Sequence, residues 1–422
     1  MAIATSPRPL PIQMMNLGYR GTRRVGAAPL RLRKYAVMDR ASRRAGGLTD
    51  FGDPRFEEGL DHLVDSIEDE DRLNGFGRVL AASHITNLLR QRLLITEYLR
   101  RHPEVRDEVI EKPIFIIGAP RTGTTITQYL LSQDDRFRYP FTWECDELYP
   151  PLDPVTMRSD PRIKRSEKQI RRSLSLAPDL DAATPIGAWE AQECALLHAH
   201  AFHSETFHVM FNCQGYDRWI TGQDRTWVYE EQKLLLQYMQ SGGLRPTESW
   251  LLKSPPHMDN IDKILKVFPD ARFITTYREP TEVVASACSL TGTIIGMVQD
   301  NVDWHDHGRH IRWRNTRMLA RNVEQRRQYA DKSGQFIDFP MQRIVRDPMT
   351  CVQEIYKHFD IELTDQTHQK MSRFMDERGM DKRKPHIYHA EDYGLDIDEL
   401  WPELHYYRDF YGIEDKRDRS IQ

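Results

Sequence analysis

The stretch PIFIIGAPRTGTTITQYLLSQ, Pro113–Gln133, holds a strand signal, a glycine loop and a helix signal in direct succession. PIFIIG is a short β-branched run of the kind buried on both faces of a parallel sheet. Gly118 and Gly123 punctuate the turn, and TTITQYLLSQ has helical periodicity. A strand, a glycine loop and a helix N-terminus form an anion cradle, because backbone N–H groups converge on one point. The glycine spacing is that of GxxxxGK[ST], but Thr124 stands where the lysine should be, and Thr125 follows. The cradle survives this change, whereas the grip on a γ-phosphate is lost. Arg121 lies inside the loop, where its planar fork can hold phosphate or sulfate oxygens through two bonds. The pattern favours a nucleotide with fewer phosphates or an unusual terminal group, and gives no sign of Mg-dependent triphosphate hydrolysis. The competing reading is a tight glycine turn without a ligand.

Outward from the loop, strands and helices alternate. SWLLKSPPHM reads as a strand ending at a Pro-Pro turn, MDNIDKILKVF as a helix, ARFITTYREP as a strand and TEVVASACSL as a helix. A charged helix is expected over 304–331, followed by a strand at QFIDF and a helix at PMTCVQEIYKHF. Residues 50–102 and about 157–242 have mainly helical periods. The expectation is an α/β fold: a P-loop-type parallel sheet flanked by helices, with extra helical segments at the N-terminus and in the middle. Residues 1–48, rich in arginine, read as a basic N-terminal arm capable of weak contact with a membrane surface. Residues 49–422 read as a single domain with helical insertions at about 157–242.

Of the 422 residues, 29% are charged and the formal net charge is −4, which supplies no general drive towards nucleic acid. Basic and aromatic residues are not interleaved as nucleic-acid binding requires. No apolar run reaches the length of about 18 residues needed to cross a bilayer, and no secretory signal is evident. Five cysteines without a CxxC pair argue against a disulfide framework and fit a reducing, cytoplasmic setting.

A second anion site is legible in TYREPTEVVASACSL. Arg278 closes a strand and Ser286 follows eight residues later on the helix. Two separated anion sites suit a nucleotide phosphorylated at both ends of its ribose. Together, GAPRTGTT, WLLKSPPH and TYREPTEVVASACSL resemble the sulfotransferases, in particular the broad, largely bacterial family with a PRxGTT loop. The resemblance implies 3′-phosphoadenosine 5′-phosphosulfate (PAPS) as donor and 3′-phosphoadenosine 5′-phosphate (PAP) as product, with no metal required. It assigns Arg121, Thr122, Gly123, Thr124 and Thr125 to the 5′-phosphosulfate, and Arg278 and Ser286 to the 3′-phosphate. Arg383 and Lys384 in KRKPHIY resemble the segment that completes the 3′-phosphate site, although proline replaces glycine there.

Sulfuryl transfer needs positioning, charge stabilisation and a general base for the acceptor hydroxyl. Lys253 matches the strand-end lysine that steadies the bridging oxygen of the donor. The base has two candidates: Glu144, 23 residues after Arg121, and His257 in KSPPH. The expected acceptor is a small molecule or lipid bearing a hydroxyl. A non-catalytic nucleotide-binding protein and a small-molecule kinase are the competing readings. His305, His307 and His310 with Asp306 have the spacing of a metal site or of a solvated helix start. Phe202, Phe207, Phe211 and Trp219 either line an apolar acceptor pocket or form core.

Overall fold

Five strands make one sheet: β1 (Ile114–Ile117), β2 (Phe137–Arg138), β3 (Ser249–Lys253), β4 (Arg272–Tyr277) and β5 (Phe336–Pro340). Their order is β2-β3-β1-β4-β5, and every pairing is parallel. These coordinates are a computed structural model that describes residues 8–27, 30–176, 187–378 and 389–414. The α/β sheet anticipated from the sequence is therefore present, with β2 added.

β1 has partners on both sides and helices on both faces, so IFII is apolar at every position and fully buried. Successive side chains alternate between the faces. Ile114 and Ile116 pack with Leu251, Ile274, Leu130 and Val352 on one side. Phe115 and Ile117 pack with Leu252, Phe273, Val283 and Leu319 on the other. The register sets Ile116 beside Lys253 and Ile117 beside Thr275, so β1, β3 and β4 end at a common edge.

The N-terminal helices are α1 (Leu10–Arg24), α2 (Lys34–Arg44), α3 (Phe56–Glu70) and α4 (Gly75–Arg101). They change the picture of residues 1–48, whose described part is helical and packed against the rest of the chain. Val37, Ala41 and Ala45 recur every four residues and are buried in one cluster with Leu60, Leu63 and Leu89. Asn16 accepts a hydrogen bond of 2.9 Å from the N–H of Phe76, and Lys34 donates to Asp61 at 2.8 Å. The arginines face outward from this small-residue stripe, which is why composition alone suggested an arm.

The helix Pro280–Val298 corrects the reading that no apolar run is long enough to span a bilayer. It passes by length and composition, yet 72% of its apolar window is buried inside the protein. Its Val283 and Val284 belong to the core that covers one face of the sheet. Phe202, Phe207 and Phe211 are likewise core, buried among the N-terminal helices, with Trp219 packed against them.

Candidate active site

The loop after β1 is held open from within. Gly118 has φ +155°, and a Cβ there would lie 2.5 Å from both the carbonyl oxygen and the hydroxyl of Thr276 on β4. Only glycine permits this approach. The Thr122 hydroxyl donates to the Ala119 carbonyl at 2.7 Å and shares a 2.8 Å hydrogen bond with the Thr276 hydroxyl. The side chain of Thr122 is thus turned inward as a brace, which leaves its backbone as the part available to a ligand. Arg121 adopts φ +68° and is half-buried. Gly123, at φ +99°, precedes α5 (Thr124–Leu131), whose first N–H groups have no intrahelical partner. Thr124 is buried at the start of this helix and Thr125 is half-buried.

On one side of β1, Arg278 follows β4 and donates from Nε to Glu282 at 2.6 Å. Glu282 and Ser286 are four residues apart on the helix Pro280–Val298, hence on one face, and Ser286 is buried. Adjacent strands lie about 4.8 Å apart, so the glycine loop and Arg278 stand at the same edge on neighbouring strands. Arg383 and Lys384 lie outside the described residues.

On the other side of β1, Lys253 ends β3. Its side chain is 4% exposed and its Nζ meets Glu193 Oε1 at 2.6 Å. Glu193 was not singled out in the sequence. It lies in a segment with mainly helical period, sixty residues from Lys253, and only the fold brings the pair together.

Both residues named as general base are enclosed. Glu144, on α6 (Thr142–Asp146), is 1% exposed. Arg138 Nη2 donates to its two carboxylate oxygens at 2.6 and 2.7 Å, and the N–H of Phe141 lies 3.4 Å from Oε2. Arg138 is itself buried and lies over the Phe141 and Trp250 rings. The carboxylate is thus committed to an internal ion pair. Glu144→Gln is expected to cost about 3–5 kcal/mol in urea unfolding, because Arg138 keeps its burial and loses its counter-charge. An unchanged midpoint would show that the pair is not what holds this wall. His257 is 0% exposed, with Nδ1 3.0 Å from the Tyr229 hydroxyl and its ring set T-shaped against Phe115. Burial, reinforced by His198, Arg225 and Lys253, pushes its imidazole well below the ordinary range, so it is neutral.

The histidines of WHDHGRH do not converge. His307 contacts the Thr291 hydroxyl at 2.9 Å, and His310 contacts Asp217 at 2.9 Å. His208, Asp217 and His310 do gather, with candidate ligand atoms within 4.8 Å of one another. Arg314 Nε already places a positive charge 3.6 Å from the Asp217 carboxylate. Asp217 is thus engaged by His310 and Arg314, while His208 lies near the His310 ring. A recess of about 1000 Å³ beside α4, lined by Arg55, Arg92 and Lys233 among others, includes neither the Gly118–Thr125 loop nor Arg278.

A parallel sheet with a glycine loop after one strand, an arginine after its neighbour and a lysine ending a third is a P-loop-like α/β framework. The chain belongs to the sulfotransferase family, whose model matches residues 113–365. The crystal structure of sulfotransferase STF9 from Mycobacterium avium is similar with a TM-score of 0.82 and 31% identity, over 90% of this chain and 97% of that one. STF1 from Mycobacterium tuberculosis gives a TM-score of 0.78 and 26% identity, over 89% and 98%. The omega-hydroxy-beta-dihydromenaquinone-9 sulfotransferase Stf3 of Mycobacterium bovis is 24% identical over 271 residues, 60% of this chain. That match spans 64% of the relative's own length.

Proposed function

We propose that the chain transfers a sulfuryl group from PAPS to a hydroxyl of a small-molecule or lipid acceptor. The observation that carries this reading is the common edge of β1 and β4, where the Gly118–Thr125 loop and Arg278 offer two anion grips on adjacent strands. In this reading the N-terminus of α5 and Arg121 hold the 5′-phosphosulfate. Arg278 and Ser286 hold the 3′-phosphate, and Arg383 and Lys384 complete that end. Lys253 stabilises charge on the oxygen that leaves with the nucleotide, as a preorganised cation in a site shielded from water does. The name of the Stf3 relative specifies a hydroxylated quinone, which supports including hydroxylated lipids among the acceptors.

Two measurements test the proposal. Calorimetry should show binding of PAP that is much tighter than that of AMP or ADP. Incubation with labelled PAPS and a panel of phenols, steroids, glycolipids, sugars and hydroxylated quinones should yield at least one labelled sulfate ester. Equal affinity for PAP and AMP would remove the second anion grip from the reading. Phosphoryl transfer from labelled ATP would replace the reading with a kinase.

A further inference from the structure

The enclosure of Glu144 and His257 leaves the acceptor proton without a recipient, and the Lys253–Glu193 pair supplies one. Four backbone and side-chain contacts fix the segment around Glu193 at the edge of the sheet. Ala191 bridges Phe141, beyond β2. The N–H of Gln192 donates to the Pro140 carbonyl at 2.8 Å. Gln128 of α5 donates from Nε2 to the Gln192 carbonyl at 3.2 Å. The N–H of Cys194 donates to the Lys253 carbonyl at 2.9 Å. Glu193 is thereby pinned between the end of β3 and the helix that rises from the anion loop.

Its side chain is 36% exposed, against 4% for Lys253. One oxygen, Oε1, faces the ammonium, and Oε2 makes no hydrogen bond or ion pair among the described residues. Glu144 differs on both counts, being buried and clamped through both oxygens. A general base must reach the acceptor hydroxyl, so access comes before basicity.

We propose that Glu193 is the general base for the acceptor hydroxyl, and that Lys253 holds it in an ion pair until the anionic donor draws the ammonium away. The proposal rests on the sulfuryl-transfer reading above. Lys253 is buried and needs a counter-charge at all times. In the free protein Glu193 provides it, and in the complex the donor oxygens take over. Glu193 then accepts the hydroxyl proton as the acceptor oxygen forms its bond to sulfur. The bond from sulfur to the bridging oxygen of the 5′-phosphate breaks, and its electron pair leaves with the nucleotide beside Lys253. The step is redox-neutral. It yields a sulfate ester, PAP and a protonated Glu193 that returns its proton to water.

The test compares the full-length chain with E193Q and E193D. Calorimetry with PAP reads the nucleotide site. Transfer from labelled PAPS to phenol and to 4-nitrophenol, followed across pH, reads the base. The expected result for E193Q is unchanged or tighter PAP binding, a loss of about 10²–10⁴-fold with phenol, and loss of the acidic limb of the pH profile. The loss should be far smaller with 4-nitrophenol on the alkaline side of neutral pH, where it is ionised already, and E193D should recover part of the phenol activity. Unchanged turnover, or an equal loss with both phenols, overturns the assignment and leaves sulfuryl transfer standing. Lost PAP binding in E193Q marks a structural role and also overturns it. Failure of the wild-type chain to bind PAP, or to sulfate any acceptor of the panel above, overturns the underlying reading and this inference with it; failure with the two phenols alone moves the same comparison to a panel acceptor that is sulfated.

Discussion

Acidification from about pH 7 to about pH 5 is expected to unfold the chain in one steep transition. Seven histidines drive it, six of them buried and His84 half-buried: His84, His198, His200, His203, His208, His257 and His307. Burial is the leading cause at each. It lowers His84, His198, His203 and His307 to about 4, and His200 and His208 to about 3. Nearby Arg92 adds to the effect at His200, and Arg225 at His198. The folded state keeps these rings neutral, so below the ordinary value of 6.5 only the unfolded chain takes up protons. Stability is therefore complete above that value and falls as the pH drops towards the folded values. Each such histidine withdraws about 1.4 kcal/mol per pH unit, and one unit below 6.5 the group withdraws about 10 kcal/mol. Total stability is commonly about 5–15 kcal/mol, so few pH units are needed. Asp146 and Asp259, whose carboxyls are raised by burial, act in the opposite direction but are outnumbered. Tryptophan fluorescence and circular dichroism against pH would measure the midpoint. A native spectrum at pH 4 would show that water or an internal rearrangement compensates the rings.

Arg121→Ala is expected to lower transfer by about 10²–10³, the usual worth of one preorganised donor at a developing charge. Affinity for PAP should fall by about 10–100-fold, the equivalent of charge-assisted hydrogen bonds worth about 1.5–3 kcal/mol. Alanine and arginine share the reluctance to adopt φ +68°, so the substitution adds no backbone strain of its own. Arg121→Lys should fall between the two, because it keeps the charge and loses the planar fork. Calorimetry and labelled-donor turnover read both effects. Unaltered PAP affinity in Arg121→Ala would remove the anion-cradle interpretation of the loop.

The elements that carried the sequence reading were those with a strong local signal. IFII is apolar throughout, and Gly118 and Gly123 punctuate its loop, so β1 and α5 were visible from the chain alone. Lys253 and Arg278 announced themselves by closing runs of strand residues. β2, at two residues, is too short to show any period. The α2 stripe of Val37, Ala41 and Ala45 was masked by the arginines between its members. Glu193 carries no local mark, since its significance comes from a lysine sixty positions later. Thr122 was placed in the loop by its position, but a sequence cannot show that its hydroxyl is taken by Ala119 and Thr276 while its backbone faces the loop. Glu144 stands at a suggestive distance from Arg121, but a sequence cannot show that Arg138 claims both its oxygens.

The seam between the loop and β4, where Thr276 packs against Gly118 and ties to Thr122, welds the loop and the strand that leads to Arg278 into a single beam. If the loop and Arg278 bind as proposed, such an arrangement would work like a caliper with locked jaws, measuring the span between negative ends as well as their charge. Inorganic sulfate or a mononucleotide with one phosphate would then fill one jaw at a time, and length itself would become a filter on what the chain retains.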